Sequence, residues 1–360
     1  MKIIVTSPSL NPQNNISGIA NLTKLMISLN RDVNYQIFEL GKRDKEKRGI
    51  FWFLKQIFIP IRFFFFLRKT KPDFVHLNVP FGTLAIIRDL VLLFICGICQ
   101  KTTIVHIRGG KFLTEPCNNS LIRHFISTIL KKAARIIVLG AKEKQKISDE
   151  YLIPEDKIII LPNAVKIASE ETLNEKKFSS RLHILFLGRL DKDKGFTEME
   201  DALLILKEKK IDFLLTVCGE GPYKDVFLNK INGQFDNQVE FLGIVEGNEK
   251  INVLKKAHIF LLPSYFEGLP NALLEAMSNF CVPIVTPVGS IPEVINDSQN
   301  GIIVPVHNSV KIAEAIIKLN KNRKFLKVLS INAHSTVLRE FNIDNYFHKL
   351  NSIYADIQNN

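Results

Sequence analysis

Two segments of this 360-residue chain place charged side chains where a phosphorylated, hydroxyl-rich ligand could be held. The first, LFLGRLDKDKG (185–195), sets Arg189 behind a strand-like run and Gly188, and Lys194 before Gly195 at the head of the next helical stretch. Two cations on one such loop can clamp a diphosphate, the guanidinium as a fork and the ammonium as a point charge. The second, SYFEGLPNALLEAM (264–277), sets Glu267 and Glu275 eight positions apart around Gly268, Leu269 and Pro270. Pro270 fits the first turn of a helix, whose unpaired backbone N–H groups and dipole suit a phosphate, and Gly268 allows close approach to the backbone. Carboxylates accept hydrogen bonds from hydroxyl pairs, so the two segments together fit a diphosphate between hydroxyl-rich parts, the layout of a nucleotide sugar. On spacing alone a plainer reading stays open, with Glu267 an exposed loop residue and Glu275 a partner for the helix dipole. Asp191 and Asp193 have the Asp-x-Asp spacing of some metal sites, but capping of the following helix accounts for them and no metal is expected.

These residues need strand ends and helix starts to position them, and the chain supplies both. Short β-branched runs alternate with longer amphipathic stretches: KIIVTS, FVHLNV (74–79), TTIVHI (102–107), RIIVL (135–139) and IIIL (158–161), with a helix from about Ala20. That alternation predicts βα units and a parallel sheet. The polar stretch 167–180 reads as a linker, after which the pattern restarts with six further strand candidates between 182 and 306. Two α/β domains of similar build are expected, with ligands at the carboxyl ends of their strands and a cleft between the domains as the natural active site.

Hydrophobic residues make up 46% and charged residues 23%, which excludes a disordered or collagen-like chain. The net charge of +12 is uneven: residues 1–170 hold 26 basic and 13 acidic side chains, and residues 171–360 hold 22 and 23. A basic half attracts nucleic acid, an anionic membrane or a phosphorylated substrate, and charge does not choose among them. Five scattered cysteines argue against a disulfide framework and for a reducing compartment; Cys96 and Cys99 have redox spacing but sit in an apolar run that reads as packed helix. The first residues read as a strand, no apolar run is long enough to span a bilayer, and a cytoplasmic protein is expected. The segment IFWFLKQIFIPIRFFFFL (50–67), interrupted by Lys55, Pro60 and Arg62 and flanked by KRDKEKR and RKTK, suits a helix lying in a membrane interface. The competing reading fills the first domain's core with its phenylalanines.

With these motifs in view, the chain resembles the retaining glycosyltransferases of family 4, which have the GT-B fold of two facing Rossmann-like, doubly wound domains with an interdomain cleft. The likeness is strongest over 181–306, through GRLDKDKG, VCGEGPY, VEFLGIV, LLPSYFEGLPNALLEAM, TPVGSIPEVI and NGIIVP, and weaker through KPDFVHLNV, HIRGGKF and IIILPNAV. The resemblance implies an acceptor-binding domain over 1–168, with 341–360 packing back on it, and a nucleotide-sugar domain over 169–340. It implies that Arg189 and Lys194 hold the donor diphosphate, that Glu267 binds the hydroxyls of the transferred sugar and that Glu275 binds the ribose. Gly188, Gly268, Leu269 and Pro270 would bring backbone to the donor, and Gly219, Glu220, Gly221 and Pro222 would border the nucleotide.

Two departures bear on the first domain. The loop after the first strand keeps one glycine, Gly18, where members often have a pair, and Arg108 stands where members often place a histidine, with His106 two residues earlier. Either His106 or Arg108 is expected to contact phosphate or acceptor; the alternative packs His106 among core strands. The implied activity is transfer of a sugar from a UDP- or GDP-sugar to a hydroxyl of a lipid-linked or polysaccharide acceptor, with no cofactor and no nucleic acid partner, at the inner face of an anionic membrane reached through 50–68. A nucleotide-sugar epimerase of similar build and a degenerate, non-catalytic membrane-associated homologue are the alternatives.

Overall fold

A computed structural model describes residues 1–358 except 12, 16, 42, 44, 45, 47, 48, 115, 116 and 236, with backbone only for 50, 51, 53, 55, 111 and 114. Most of the basic flank KRDKEKR and the side chain of Lys55 therefore lie outside the described residues. The chain divides into two compact units, residues 1–162 with 346–360, and residues 163–345.

In the first unit β1 (Lys2–Ser7), α1 (Gly18–Leu29), β2 (Asn34–Glu39), α2 (Ile50–Thr70), β3 (Phe74–Val79), α3 (Thr83–Ile98), β4 (Thr103–Ile107), α4 (Lys111–Thr114), α5 (Ser120–Lys132), β5 (Arg135–Val138), α6 (Ala141–Tyr151) and β6 (Ile158–Ile160) follow in order. The strands form one parallel sheet, β2-β1-β3-β4-β5-β6. Every residue of β3 and β4 is buried, as expected where helices cover both faces of a parallel sheet. One face carries Leu77, Val79, Val105 and Ile107 against α2, α3 and α5.

The second unit contains α7 (Glu171–Glu175), β7 (Leu182–Leu187), α8 (Phe196–Glu208), β8 (Phe213–Cys218), α9 (Lys224–Ile231), β9 (Val239–Gly243), α10 (Gly247–Lys256), β10 (Ile259–Leu262), α11 (Asn271–Ser278), β11 (Val282–Val285), β12 (Ile302–Ile303), α12 (Ser309–Lys321) and α13 (Arg323–Glu340). Its sheet is again parallel, in the order β12-β11-β10-β7-β8-β9. The winding reverses between β7 and β10, and in open sheets of this kind the crevice beyond such a reversal is where ligands bind. The short helix α7 interrupts the stretch that reads as a linker, and Lys176 just after it is buried, its Nζ donating to the carbonyls of Leu254 and Ala257. That stretch is thus anchored to the second unit.

The last helix, α14 (Ile343–Gln358), closes the first unit: Tyr354 packs on Phe74 and bonds His76, and Asn351 bonds Asn30 at the end of α1.

The aromatic segment divides by helical phase. Phe63 (0% exposed) and Leu67 are buried in the core, whereas Phe58 and Phe65 (64%) point out of it. The reading that fills the core with this segment therefore describes one face of the helix, and the other face is exposed. A Phe63→Ala variant is expected to lose about 3–5 kcal/mol, the usual loss for an emptied aromatic site. Phe65→Ala should stay within about 0.5 kcal/mol. Urea unfolding of both variants checks this, and equal losses would refute the placement.

Candidate functional site in the second unit

The loops after β7 and β10 are pressed together. At Gly195, where φ is +73°, a Cβ atom would lie 2.1 Å from the Pro263 carbonyl oxygen, so no side chain fits. The backbone N–H of Tyr265 donates to the Asp193 carbonyl at 2.8 Å. This contact delivers Lys194 to Glu267: Nζ lies 2.6 Å from Oε1, which also accepts from Ser264 Oγ at 2.7 Å. The two side chains are 22% and 10% exposed. A carboxylate this sheltered requires its charge to be matched, and here it is matched twice. On its other side the Glu267–Gly268 backbone rests against Gly289, whose added Cβ would meet the Glu267 carbonyl at 2.2 Å, and Ser290 N–H donates to the Gly268 carbonyl at 3.0 Å.

Arg189 and Gly188 lie on the loop that laces to the end of β8. Gly219 has φ +136° and would place a Cβ 1.8 Å from the Gly188 carbonyl oxygen. Gly188 N–H donates to the Cys218 carbonyl, and Leu190 N–H to that of Glu220, each at 3.0 Å. Arg189 is exposed in the middle of this lacing. Glu220 pairs with Lys224 at 2.8 Å, Gly221 packs on the Leu190 backbone, and Pro222 is exposed.

Pro270 is the N-cap of α11, Leu269 is buried with its carbonyl accepting from Asn163 Nδ2 at 2.7 Å, and Glu275 stands on the second turn. Glu275 is held by Lys250 of α10 at 2.6 Å, a partner that sequence reasoning missed. It missed a second cluster as well: Glu198, in the first turn of α8, accepts from Tyr265 Oη and lies 3.0 Å from His307 Nδ1. Burial pushes the Glu198 carboxyl up, but the bonds from Tyr265 and His307 outweigh it and hold the group below the usual carboxylate range. An acid in the first turn of α8 was visible, but its partners lie 67 and 109 residues away and carry no local signal.

The site residues expected in the first unit are Gly18 on α1, His106 within β4 and Arg108 just beyond it. Gly18 opens α1, exposed, after the N-cap Ser17. His106 has no exposed surface: its ring stacks on His76, with Nδ1 3.1 Å from His76 Nε2, and His76 Nδ1 lies 2.7 Å from Tyr354 Oη. The expected surface contact by His106 is therefore corrected to a buried one, because register with β3 turns it onto the sheet face where His76 and Tyr354 pack. Arg108 follows the end of β4, its Nε donating to Asn78 Oδ1 at 2.7 Å; Asn78 is itself fixed by two bonds to Thr6.

Among the described residues no group of three or more His, Cys, Asp or Glu is arranged to hold a metal ion, and Asp191 and Asp193 contribute backbone turns. Cys96 is buried in α3 and Cys99 caps it.

Residues 169–336 match the family described as glycosyl transferases group 1. An uncharacterized glycosyltransferase of Methanocaldococcus jannaschii is 28% identical over 296 residues, covering 78% of this chain and 74% of that protein. The UDP-Gal:alpha-D-GlcNAc-diphosphoundecaprenol alpha-1,3-galactosyltransferase of Escherichia coli is 24% identical over 306 residues, covering 81% and 77%. Among solved structures, HepE of Anabaena in complex with UDP-glucose superposes with a TM-score of 0.75 over 99% of this chain and 100% of that one at 14% identity, a likeness of fold.

Burial, helped by the nearby Arg108 charge, lowers His76 to about 3 and drives His106 well down, so both are neutral when folded. Unfolded histidines titrate near 6.5, so the unfolded state binds more protons below that pH. Stability is then fully present above about 6.5 and falls with acidification, by up to about 1.4 kcal/mol per pH unit per histidine. His106→Asn, which keeps an acceptor for His76 but cannot be protonated, is expected to flatten the decline between pH 7 and pH 5 in urea titrations. An unchanged slope would refute the buried neutral state of His106.

Proposed function

We propose that this chain, whose residues 169–336 belong to the glycosyl transferases group 1 family, transfers a hexose-type sugar with retention from a UDP- or GDP-sugar to a hydroxyl of a lipid-linked or polysaccharide acceptor. The carrying observation is the meeting of Lys194 and Glu267 at the reversal of the second sheet, on the loop that also carries Arg189. In this reading Lys194 and Arg189 take the diphosphate, Glu267 takes sugar hydroxyls, and Glu275 takes the ribose once Lys250 yields or shares it. Protein cations rather than a metal then stabilise the charge growing on the departing diphosphate, a contribution of about 3 kcal/mol per well-placed donor. The acceptor hydroxyl attacks the sugar carbon from the face the diphosphate leaves. Its proton passes to the departing phosphate oxygen, so no protein nucleophile is required.

The acceptor class draws support from the Escherichia coli relative, whose name specifies a diphosphoundecaprenol-linked sugar, and from the excess of basic residues in residues 1–170. At the strand ends of the first unit, Arg108 held by Asn78 offers that acceptor's phosphate a guanidinium fork. In this reading the protein works at the cytoplasmic side of a membrane, in surface polysaccharide synthesis.

Arg189→Ala and Lys194→Ala are each expected to lower turnover about 10²-fold or more if each supplies one transition-state donor. Glu275→Ala should instead weaken donor binding in calorimetry with UDP- and GDP-sugars. Near-normal turnover in both cation variants would sink the diphosphate clamp, and product formed without any acceptor would favour an epimerase.

A further inference from the structure

Among the described residues of α2, every exposed side chain is either large and apolar or cationic. The apolar ones, Leu54, Ile57, Phe58, Ile61 and Phe65, follow helical spacing along one stripe, and the cations Arg62, Arg68 and Lys69 gather toward its end. The neighbouring helix repeats the pattern. Leu84, Ile87, Val91, Phe94 and Ile98 are exposed on α3 at spacings of three and four, with Ile98 at 75%. The two helices pack side by side on the same face of the sheet, so the stripes run on adjacent elements.

Scattered exposed leucines need no explanation, but an apolar patch built from two adjacent stripes marks an interaction surface. The charges define the partner. Together α2, α3 and α5 carry eight Lys or Arg and a single acidic residue, Asp89. Asp89 is buried and held bidentately by Arg88 at 2.7 and 2.9 Å, so it shows no free carboxylate to the surface. Lys132 of α5 lies over the Phe94 ring at 5.2 Å, which sets a cation at the edge of the α3 stripe. Between α2 and the edge strand β2 an open groove of about 480 Å3 is lined by Phe38, Ile61, Phe65 and Phe66 together with Arg62 and Lys69. Glu39 also lines it and is paired with Arg43 at 3.2 Å.

We infer that the outer face formed by α2 and α3 together docks flat on a bilayer of anionic lipids. The apolar stripes enter the acyl boundary, and Arg62, Arg68, Lys69 and Lys132 meet the headgroup phosphates. An apolar face rimmed by cations is the arrangement that binds such interfaces, where hydrophobic burial and attraction to acidic lipids add. No helix is long and apolar enough to cross a membrane among the described residues, and Pro60 and Arg62 divide α2, so it lies on the surface. This deepens the lipid-linked acceptor reading by assigning α3 and α5 to the docking face, and its test needs no catalysis.

The full chain is floated with vesicles of phosphatidylcholine and with vesicles of an equal mixture of phosphatidylcholine and phosphatidylglycerol. Binding to the mixture, weak binding to phosphatidylcholine and loss with rising salt are expected. An Ile57→Ser, Phe58→Ser, Phe65→Ser variant and an Ile87→Ser, Phe94→Ser, Ile98→Ser variant should each bind at least about tenfold more weakly. Both should keep wild-type thermal midpoints and nucleotide-sugar binding. Arg68→Gln with Lys69→Gln, which leaves all apolar contacts in place, should narrow the preference for the acidic vesicles. Wild-type binding by the α3 variant would overturn the two-helix face. A wild-type dimer that the stripe variants abolish, without vesicle binding, would overturn the lipid assignment in favour of a second copy of the chain. Loss of donor binding with vesicle binding intact would strike the proposed function and leave this inference standing.

Discussion

The ion pair between Lys194 and Glu267 is the contact on which the second unit's candidate site depends. A carboxylate that is 10% exposed is tolerable only while something matches its charge, and the ammonium 2.6 Å away and the Ser264 hydroxyl do so together. Meeting that demand brings the loop after β7 onto the loop after β10. The absence of a side chain at Gly195 follows, since a Cβ there would occupy the Pro263 carbonyl. On another side the Glu267–Gly268 backbone packs against Gly289, where a side chain would not fit. Arg189 is exposed earlier on that same loop after β7, whose first residues are fixed by the close approach of Gly219 to Gly188. A ligand entering here exchanges one partner of a charge that is already neutralised, so neither side chain has to be desolvated afresh.

The first unit solves a different problem with the same economy. Its helix α2 supplies Phe63 and Leu67 to the core from one face and leaves Phe58 and Phe65 uncovered on the other. Covering one side of a parallel sheet needs a single apolar stripe per helix. A second stripe on both α2 and α3 exceeds that need, and no fold requirement calls for it.

Legibility in the sequence follows the range of the forces involved. Central strands such as FVHLNV and TTIVHI were readable because burial on both faces makes them nearly continuous apolar runs. The edge strand β2, NYQIFE, was missed, since only one of its residues is buried. The run FFFF at 63–66 hid the phase of α2, because a period cannot be read where every position is apolar. The candidate site residues Arg189, Lys194, Glu267 and Glu275 were visible as charged positions at strand ends and helix starts. Their partners were not: Lys250 reaches Glu275 from another helix, and Tyr265 and His307 reach Glu198 across the sheet. Such pairs are products of strand order, which no local window contains.

The same limit separates Arg108 from His106. Both are two residues apart on one strand and its exit, and alternation assigns them to one side. What distinguishes them is the neighbour each meets. His106 comes beside His76, which is already engaged by Tyr354 of α14, in a space with no water-exposed surface, and burial removes its charge. Arg108 lies just beyond the strand, where Asn78 holds one edge of the guanidinium through Nε. A guanidinium keeps its charge wherever it sits, whereas an imidazole gives it up on burial. The strand ends of the first unit therefore present a guanidinium near two buried histidines whose charged forms burial disfavours. A phosphate-bearing ligand there would be recognised by charge fixed in place, with the Thr6–Asn78 bonds setting the direction of the fork.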